Sequence, residues 1–196
     1  MFVRAPEAGR VKTRLAAEVG AEAALRVYVR LAEHALAEAR AAGAAVRVHF
    51  TPAGAEAAVR GWLGGPADYL PQAEGDLGER LERAFAEAFA AGFRRVVVIG
   101  SDLPELSAEV LRRAAVLLDG YAAVLGPARD GGYYLLGLRA PLPEVFRGIP
   151  WSTDAVLART LDRLRAAGIE PALLETLGDV DEAADLPPGW REWATG

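Results

Sequence analysis

The chain has 196 residues, with 22 lysines and arginines against 27 aspartates and glutamates and a formal net charge of −5. That length suits one domain with a sizeable core, and an acidic chain without a basic block argues against non-specific nucleic-acid binding and against anchoring on an anionic membrane. The absence of cysteine excludes disulfides, thiolate catalysis and Cys-based metal centres, and two histidines are too few for a His-rich site, so any metal would be a hard cation on carboxylate oxygens, Mg2+ or Mn2+.

MFVR (1–4) reads as a first strand, so short for a central position that Met1 is expected to lie a few residues inside the natural chain. Residues 21–42 read as a helix, with Ala24, Val27, Tyr28, Leu31 and Ala35 at helical spacing and Gly43 as a stop. VRVHF (46–50) alternates as a strand, 54–63 is helical, and DYLP (68–71) is a short strand. Residues 77–91 form an amphipathic helix with Leu77, Leu81, Ala84, Phe85, Ala88 and Phe89 on one face. RVVVIG (95–100) is the most apolar run and reads as a strand buried on both faces, as in a central parallel sheet. A helix capped by Ser107 follows to 118. AAVLGP (122–127) and YYLLGL (133–138) are strands joined by a short DGG-bearing loop, which implies one antiparallel pairing. Ser152 or Thr153 is expected to cap a helix to about 167, PALLET (171–176) is the last strand, and Trp190 and Trp193 are expected to pack back. Strands alternating with helices give an α/β class: one domain over 1–196, three-layer α/β/α with a mixed, mainly parallel central sheet. No apolar run approaches the roughly 20 residues of a membrane span, and no signal-peptide segment precedes Pro6, so a cytoplasmic location is expected.

Chemistry concentrates in the loops. GRVKTRL (9–15) follows the first strand and holds Gly9, Arg10, Lys12 and Arg14 just ahead of a helical segment. In open α/β sheets ligands bind beyond the carboxyl ends of strands, and a glycine turn with basic side chains there suits an oligophosphate. Neither the P-loop pattern nor a dinucleotide-binding glycine fingerprint is present. Lys12 is the sole lysine; every other basic residue is arginine. A compact ammonium on a flexible stem makes a point contact that arginine's planar fork does not copy, so Lys12 is expected to contact phosphate. Asp102, two residues past the buried run, is a candidate ligand for a divalent cation, and one of Asp179 and Asp181 in LGDVDEAADL is expected to join it. In QAEGDLGER, Gly78 and Arg80 are candidates for approach to a base or phosphate. Asp130, Gly131 and Gly132 sit in a tight turn ahead of Tyr133. Trp151, with Ser152 and Thr153, lies beside a helix start and suits either stacking on a ligand or the core. His34 and His49 read as structural.

In order, AP-x-x-GRVKTRL, Q-x-x-GDLGERL, VIGSDLPEL, LGPARDGGYYLLGL, IPWST and DVDEAADL resemble a glycosyltransferase-like family, the radical-SAM/selenodomain-associated transferase 1 type, over residues 2 to about 186. That family is placed in the nucleotide-diphospho-sugar transferase superfamily with the GT-A fold. Leu103 stands where many relatives carry Cys. The resemblance implies Lys12 and Arg14 at the phosphates, Asp102 at the metal-binding aspartate position, the DVD segment as a second metal-side acid, and Asp130, Gly131 and Tyr133 facing the sugar or acceptor.

The combined expectation is a Mg2+- or Mn2+-dependent transferase with a nucleotide donor, most simply a nucleotide sugar, and a small-molecule acceptor. One alternative is a nucleotidyltransferase joining NMP from an NTP to a phosphorylated small molecule. Another is a nucleotide-binding protein without turnover.

Overall fold

Apolar residues at helical spacing are the ones the fold buries, and the strand segments sit between those helices. In the computed structural model, which describes residues 1–196, the chain runs β1 (Phe2–Arg4), α1 (Thr13–Val19), α2 (Ala21–Ala41), β2 (Arg47–Thr51), α3 (Glu56–Leu63), β3 (Asp68–Pro71), α4 (Leu77–Ala90), β4 (Val96–Ile99), α5 (Ala108–Gly120), β5 (Ala123–Pro127), β6 (Tyr133–Leu138), α6 (Val156–Ala166), β7 (Ala172–Leu173) and α7 (Trp190–Thr195). This is the expected mixed α/β class. The chain divides into two compact units, one of residues 1–71, 100–108 and 178–196, the other of 72–99 and 109–177.

In the first unit β1, β2 and β3 form a parallel sheet with β2 in the middle. Parallel neighbours need crossovers, and the helices between these strands supply them. Ala24, Val27, Leu31 and Ala35 of α2 are fully buried. The Tyr28 hydroxyl donates to the Arg4 carbonyl and accepts from the Arg4 N–H, both at 2.8 Å, which ties the end of β1 to α2. A separate α1, unrecognised in the sequence, ends at Gly20, whose φ of 88° lets the chain turn into α2. His34 Nε2 meets the Leu106 carbonyl at 2.8 Å. At the far end of the chain, Trp190 packs back on the core as expected, whereas Trp193 rests on Trp190 and Arg30 and stays 44% exposed. The Arg30 guanidinium lies 4.2 and 4.6 Å from their ring centroids, and Arg26 donates to the Ala194 carbonyl.

The second unit holds a four-stranded sheet in the order β4-β6-β5-β7. The expected hairpin is β5 with β6, antiparallel, with a register shift at Gly126/Pro127; β7 lies parallel to β5. The reading of residues 95–100 as a parallel, doubly buried strand is corrected: β4 pairs antiparallel with β6, and Val96–Val98 are half-buried. An apolar run signals burial but carries no information about the direction of its neighbour. The α4 start carries a reciprocal cap: Glu79 N–H donates to Asp76 Oδ1 at 2.9 Å and Asp76 N–H to Glu79 Oε2 at 2.8 Å. Leu77, at the helix's first residue, is exposed and not on the buried face. The expected Ser152 or Thr153 cap is also corrected. α6 starts at Val156 with Ala155 in the capping position, and the Thr153 hydroxyl instead donates to the Pro150 carbonyl at 2.7 Å and accepts from Ala155 N–H at 3.3 Å.

Two outcomes follow from this packing. Gly126 lies beneath the ring of buried Tyr134, where an added Cβ would overlap it. Gly126→Ala should therefore destabilise by about 1–3 kcal/mol in urea melts, and an unchanged midpoint would mean that the ring yields freely. His49 is buried in β2 and stacked on Phe2 at 5.2 Å. Burial, then the nearby N-terminal ammonium and the charge of Arg47, push its pKa down from 6.5 to about 4. As pH falls below 6.5 the unfolded chain takes up a proton that the native state refuses. Stability should fall between pH 6.5 and 4, by up to about 3 kcal/mol from this group. His49→Phe, keeping the stack, should flatten that slope in melts at pH 7 and 4.5; a slope equal to the parent's would acquit His49.

Candidate functional site

The loop after β1 starts from a backbone bond, Ala5 N–H to the Thr51 carbonyl at 2.8 Å, and turns at Gly9, whose φ is 76°. Val11 and Leu15 are buried and pin the loop and α1 to the core. Between them Lys12 adopts a left-handed backbone conformation, φ 48° and ψ 49°, at the cap position of α1. A non-glycine residue holds that conformation at a cost of roughly 1–2 kcal/mol and only where its surroundings fix it.

The Lys12 side chain, only 5% exposed, supplies the fixing contacts. Its Nζ lies 2.8 Å from Asp102 Oδ2 and 3.0 Å from Asp181 Oδ1. Burial alone would lower the lysine's pKa; the two carboxylates, Asp102 before Asp181, outweigh it and raise the pKa above its ordinary value. Asp102 sits in a loop anchored by buried Leu103 and Leu106, and buried Ser101 donates to its Oδ1 at 3.2 Å. The carbonyl of Asp102 accepts from Val180 N–H at 3.0 Å, so the two acid-bearing loops are joined directly. Val180 is fully buried in a cluster with Leu15, Ala24, Val27, Leu31 and Ala194. Beyond it, Asp185 Oδ2 accepts from the N–H groups of Asp181 and Glu182 at 3.0 and 2.8 Å, and Glu18 accepts from Ala183 N–H at 3.0 Å. The Asp185 side chain that caps this turn thereby orients Asp181, a service that residue spacing alone does not reveal. Of Asp179 and Asp181, the latter is the acid that meets Lys12. Arg14 is mostly exposed and pairs with Asp181 and, at 3.6 Å, with Glu182. Arg10 is exposed on Glu7 at 3.3 Å. No group of three or more His, Cys, Asp or Glu side chains is placed to hold a metal by itself.

In the second unit, Gly78, Tyr133 and Trp151 come together. An added Cβ on Gly78 would stand 2.6 Å from the Trp151 indole nitrogen and 2.7 Å from the Phe146 carbonyl, so glycine is required for Trp151 to lie where it does. The Tyr133 ring meets Trp151 edge-on at 6.4 Å, and its buried hydroxyl lies beside fully buried Thr160. Burial raises the Tyr133 pKa. Asp130 Oδ1 accepts from Gly132 N–H at 2.8 Å, closing the turn. Gly131, with φ 88°, passes so close to the Asp154 backbone that a side chain would collide, and its carbonyl accepts from Leu157 N–H at 2.9 Å. Ser152 is exposed with a φ of 65°. Arg80 is tied to its own loop, to the Gly75 carbonyl at 2.9 Å and Gln72 Oε1 at 3.3 Å. No helix is long and apolar enough to cross a membrane.

Comparison with known proteins adds chemistry to this geometry. The chain is 33% identical over 182 residues to the 3-phospho-D-glycerate guanylyltransferase of Phenylobacterium zucineum, covering 92% of this chain and 72% of that protein. A crystal structure from Desulfovibrio desulfuricans, described as a candidate nucleotide-diphospho-sugar transferase, superposes with a TM-score of 0.88 at 37% identity, over 92% of this chain and 80% of the other. A Mycobacterium tuberculosis protein solved in complex with manganese shares the fold, with a TM-score of 0.54 at 18% identity over 94% and 93% of the two chains. These likenesses give the chain a nucleotide-diphospho-sugar transferase-like fold and set it among transferase enzymes. Residues 34–153 match the model of a family described as uncharacterized protein conserved in bacteria (DUF2064), and the chain belongs to that family.

Proposed function

We propose that the chain is a nucleotidyltransferase that joins the NMP part of an NTP to an oxygen of a small phosphorylated molecule and releases pyrophosphate. The observation that carries this reading is the convergence of one buried ammonium and two carboxylates, Lys12 with Asp102 and Asp181, on three loops fixed from behind by buried residues. Its closest support in chemistry is the relative named a guanylyltransferase, which makes GTP the first donor to try and a phosphorylated carboxylic acid the first acceptor.

In the step, an acceptor oxygen attacks the α-phosphorus, a P–O bond forms, and the bridging bond to the β-phosphate breaks. The electron pair of that bond leaves with pyrophosphate, so negative charge grows on the departing oxygens. Lys12 and Arg14 neutralise it, with Gly9 and Arg10 completing the loop that approaches the phosphates. Asp102 and Asp181 fit the demand of Mg2+ or Mn2+ for one or two protein carboxylates, the remaining positions belonging to water and phosphate. When bound, the ion supplies further charge neutralisation at the phosphates. Asp130, Gly131, Gly132, Tyr133, Trp151, Ser152 and Thr153 are the candidates for acceptor recognition. Gly78 contributes by letting Trp151 into place, and Arg80 by holding the loop at 72–75.

Glycosyl transfer from a nucleotide sugar is the second reading, favoured by the Desulfovibrio structure's description and by the motif order that resembles the radical-SAM/selenodomain-associated type. Product analysis separates the two: pyrophosphate from NTP plus phosphorylated acids, or NDP from a nucleotide sugar. In whichever assay turns over, Asp102→Asn should lower kcat by about 10²–10³ or more with an unchanged circular dichroism spectrum. Parent-level turnover by that variant would remove Asp102 from the mechanism.

A further inference from the structure

We propose that Lys12 is an exchangeable internal counter-ion: without nucleotide its ammonium fills the cation position between Asp102 and Asp181, and it yields that position to a divalent ion when phosphate arrives to receive it. The proposal rests on the reading of these two acids as the metal-side pair.

The geometry is that of a filled site. One Nζ is within hydrogen-bond distance of an oxygen on each acid, and its side chain is almost wholly enclosed. An ammonium bridges carboxylates at 2.8 to 3.0 Å, whereas Mg2+ binds oxygen at about 2.0–2.1 Å. A divalent ion drawn to these two acids would stand close beside the enclosed ammonium, and like charges in so small a space repel, so the two cations compete for the position. The ammonium also meets a need of the free protein, because two carboxylates brought this close without a cation would repel each other.

The choice of residue fits an exchange. Among 22 basic residues, lysine appears once, at the point where a cation must be both bound and released. A guanidinium would grip the carboxylates through a rigid fork; an ammonium on a four-carbon stem holds them as a point charge and can swing to another anion without loss of charge. The left-handed backbone of Lys12 adds to this, since the conformation is held by contacts that the exchange would remove. Arg14, exposed and paired with Asp181, can turn to the phosphates beside Lys12 once the ion holds that acid. Metal and nucleotide should then bind with positive coupling, each tightening the other by the same factor.

The test is Mn2+ affinity, read by electron paramagnetic resonance of the free ion. Without nucleotide, Lys12→Met should bind Mn2+ about tenfold or more tighter than the parent, because its carboxylates no longer carry a competing cation. A non-hydrolysable GTP analogue should tighten Mn2+ binding to the parent and do so less in Lys12→Met. Lys12→Arg keeps the charge and guards against a variant that fails to fold; it should bind Mn2+ less tightly than the parent even with the analogue. Equal Mn2+ affinity in the parent and Lys12→Met, no Mn2+ binding by either, or parent-like coupling in Lys12→Arg would each overturn the exchange. The transfer reading is judged separately. Mn2+ exchange with no pyrophosphate from any NTP would sink that reading alone, and pyrophosphate release with Lys12→Met unchanged in Mn2+ affinity would sink the exchange alone.

Discussion

A single ammonium between two carboxylates joins stretches of chain that lie about 90 and 170 residues from it in sequence, and most of the first unit's design can be traced back to keeping that contact in place. Ion pairs at an open surface contribute little, because water competes and salt screens them. This one has an enclosed cation and part-exposed anions, so breaking it would leave charge stranded where solvent cannot fully recover it. The contact therefore needs a rigid frame, and the frame is apolar: Val11 and Leu15 flank the lysine, Leu103 and Leu106 follow Asp102, and Val180 precedes Asp181. Each charged group stands one to four residues from a side chain buried in the core.

Polar contacts then aim what the apolar frame holds. Ser101 donates to Asp102, Asp185 collects the N–H groups at the start of the Asp181 turn, and the Asp102 carbonyl takes the Val180 N–H. The second unit solves a comparable problem with shape in place of charge. Gly78 and Trp151 depend on each other, because the missing side chain at one position makes room for the indole at the other, and the Tyr133 ring meets that indole edge-on.

Much of this is legible in the amino-acid sequence. Helical spacing located α2 and α4, the DGG loop announced the β5–β6 hairpin, and the lone lysine marked position 12. The departures have physical causes. Seven residues of α1 are too few for periodicity to separate it from α2, and the break at Gly20 shows only as a backbone angle. The run at 96–99 betrays its apolar character but not the direction of β6. Asp179 and Asp181 flank buried Val180, and residues two apart in an extended segment share a side, so sequence alone could not choose between them. The carboxylate partners of Lys12 belong to distant segments, and one sequence carries no record of which segments meet.

The last helix has a consequence for how the molecule is handled. Ala194 belongs to the same apolar cluster as Val180, and the two tryptophans of α7 clasp Arg30 on the helix that forms the cluster's other wall. The tail is thus a wedge behind the turn that presents Asp181. A purification tag or a cut placed near Trp190 would push on that turn from its hidden side, and the disturbance would register at the far face as a change in how the acid receives its cation.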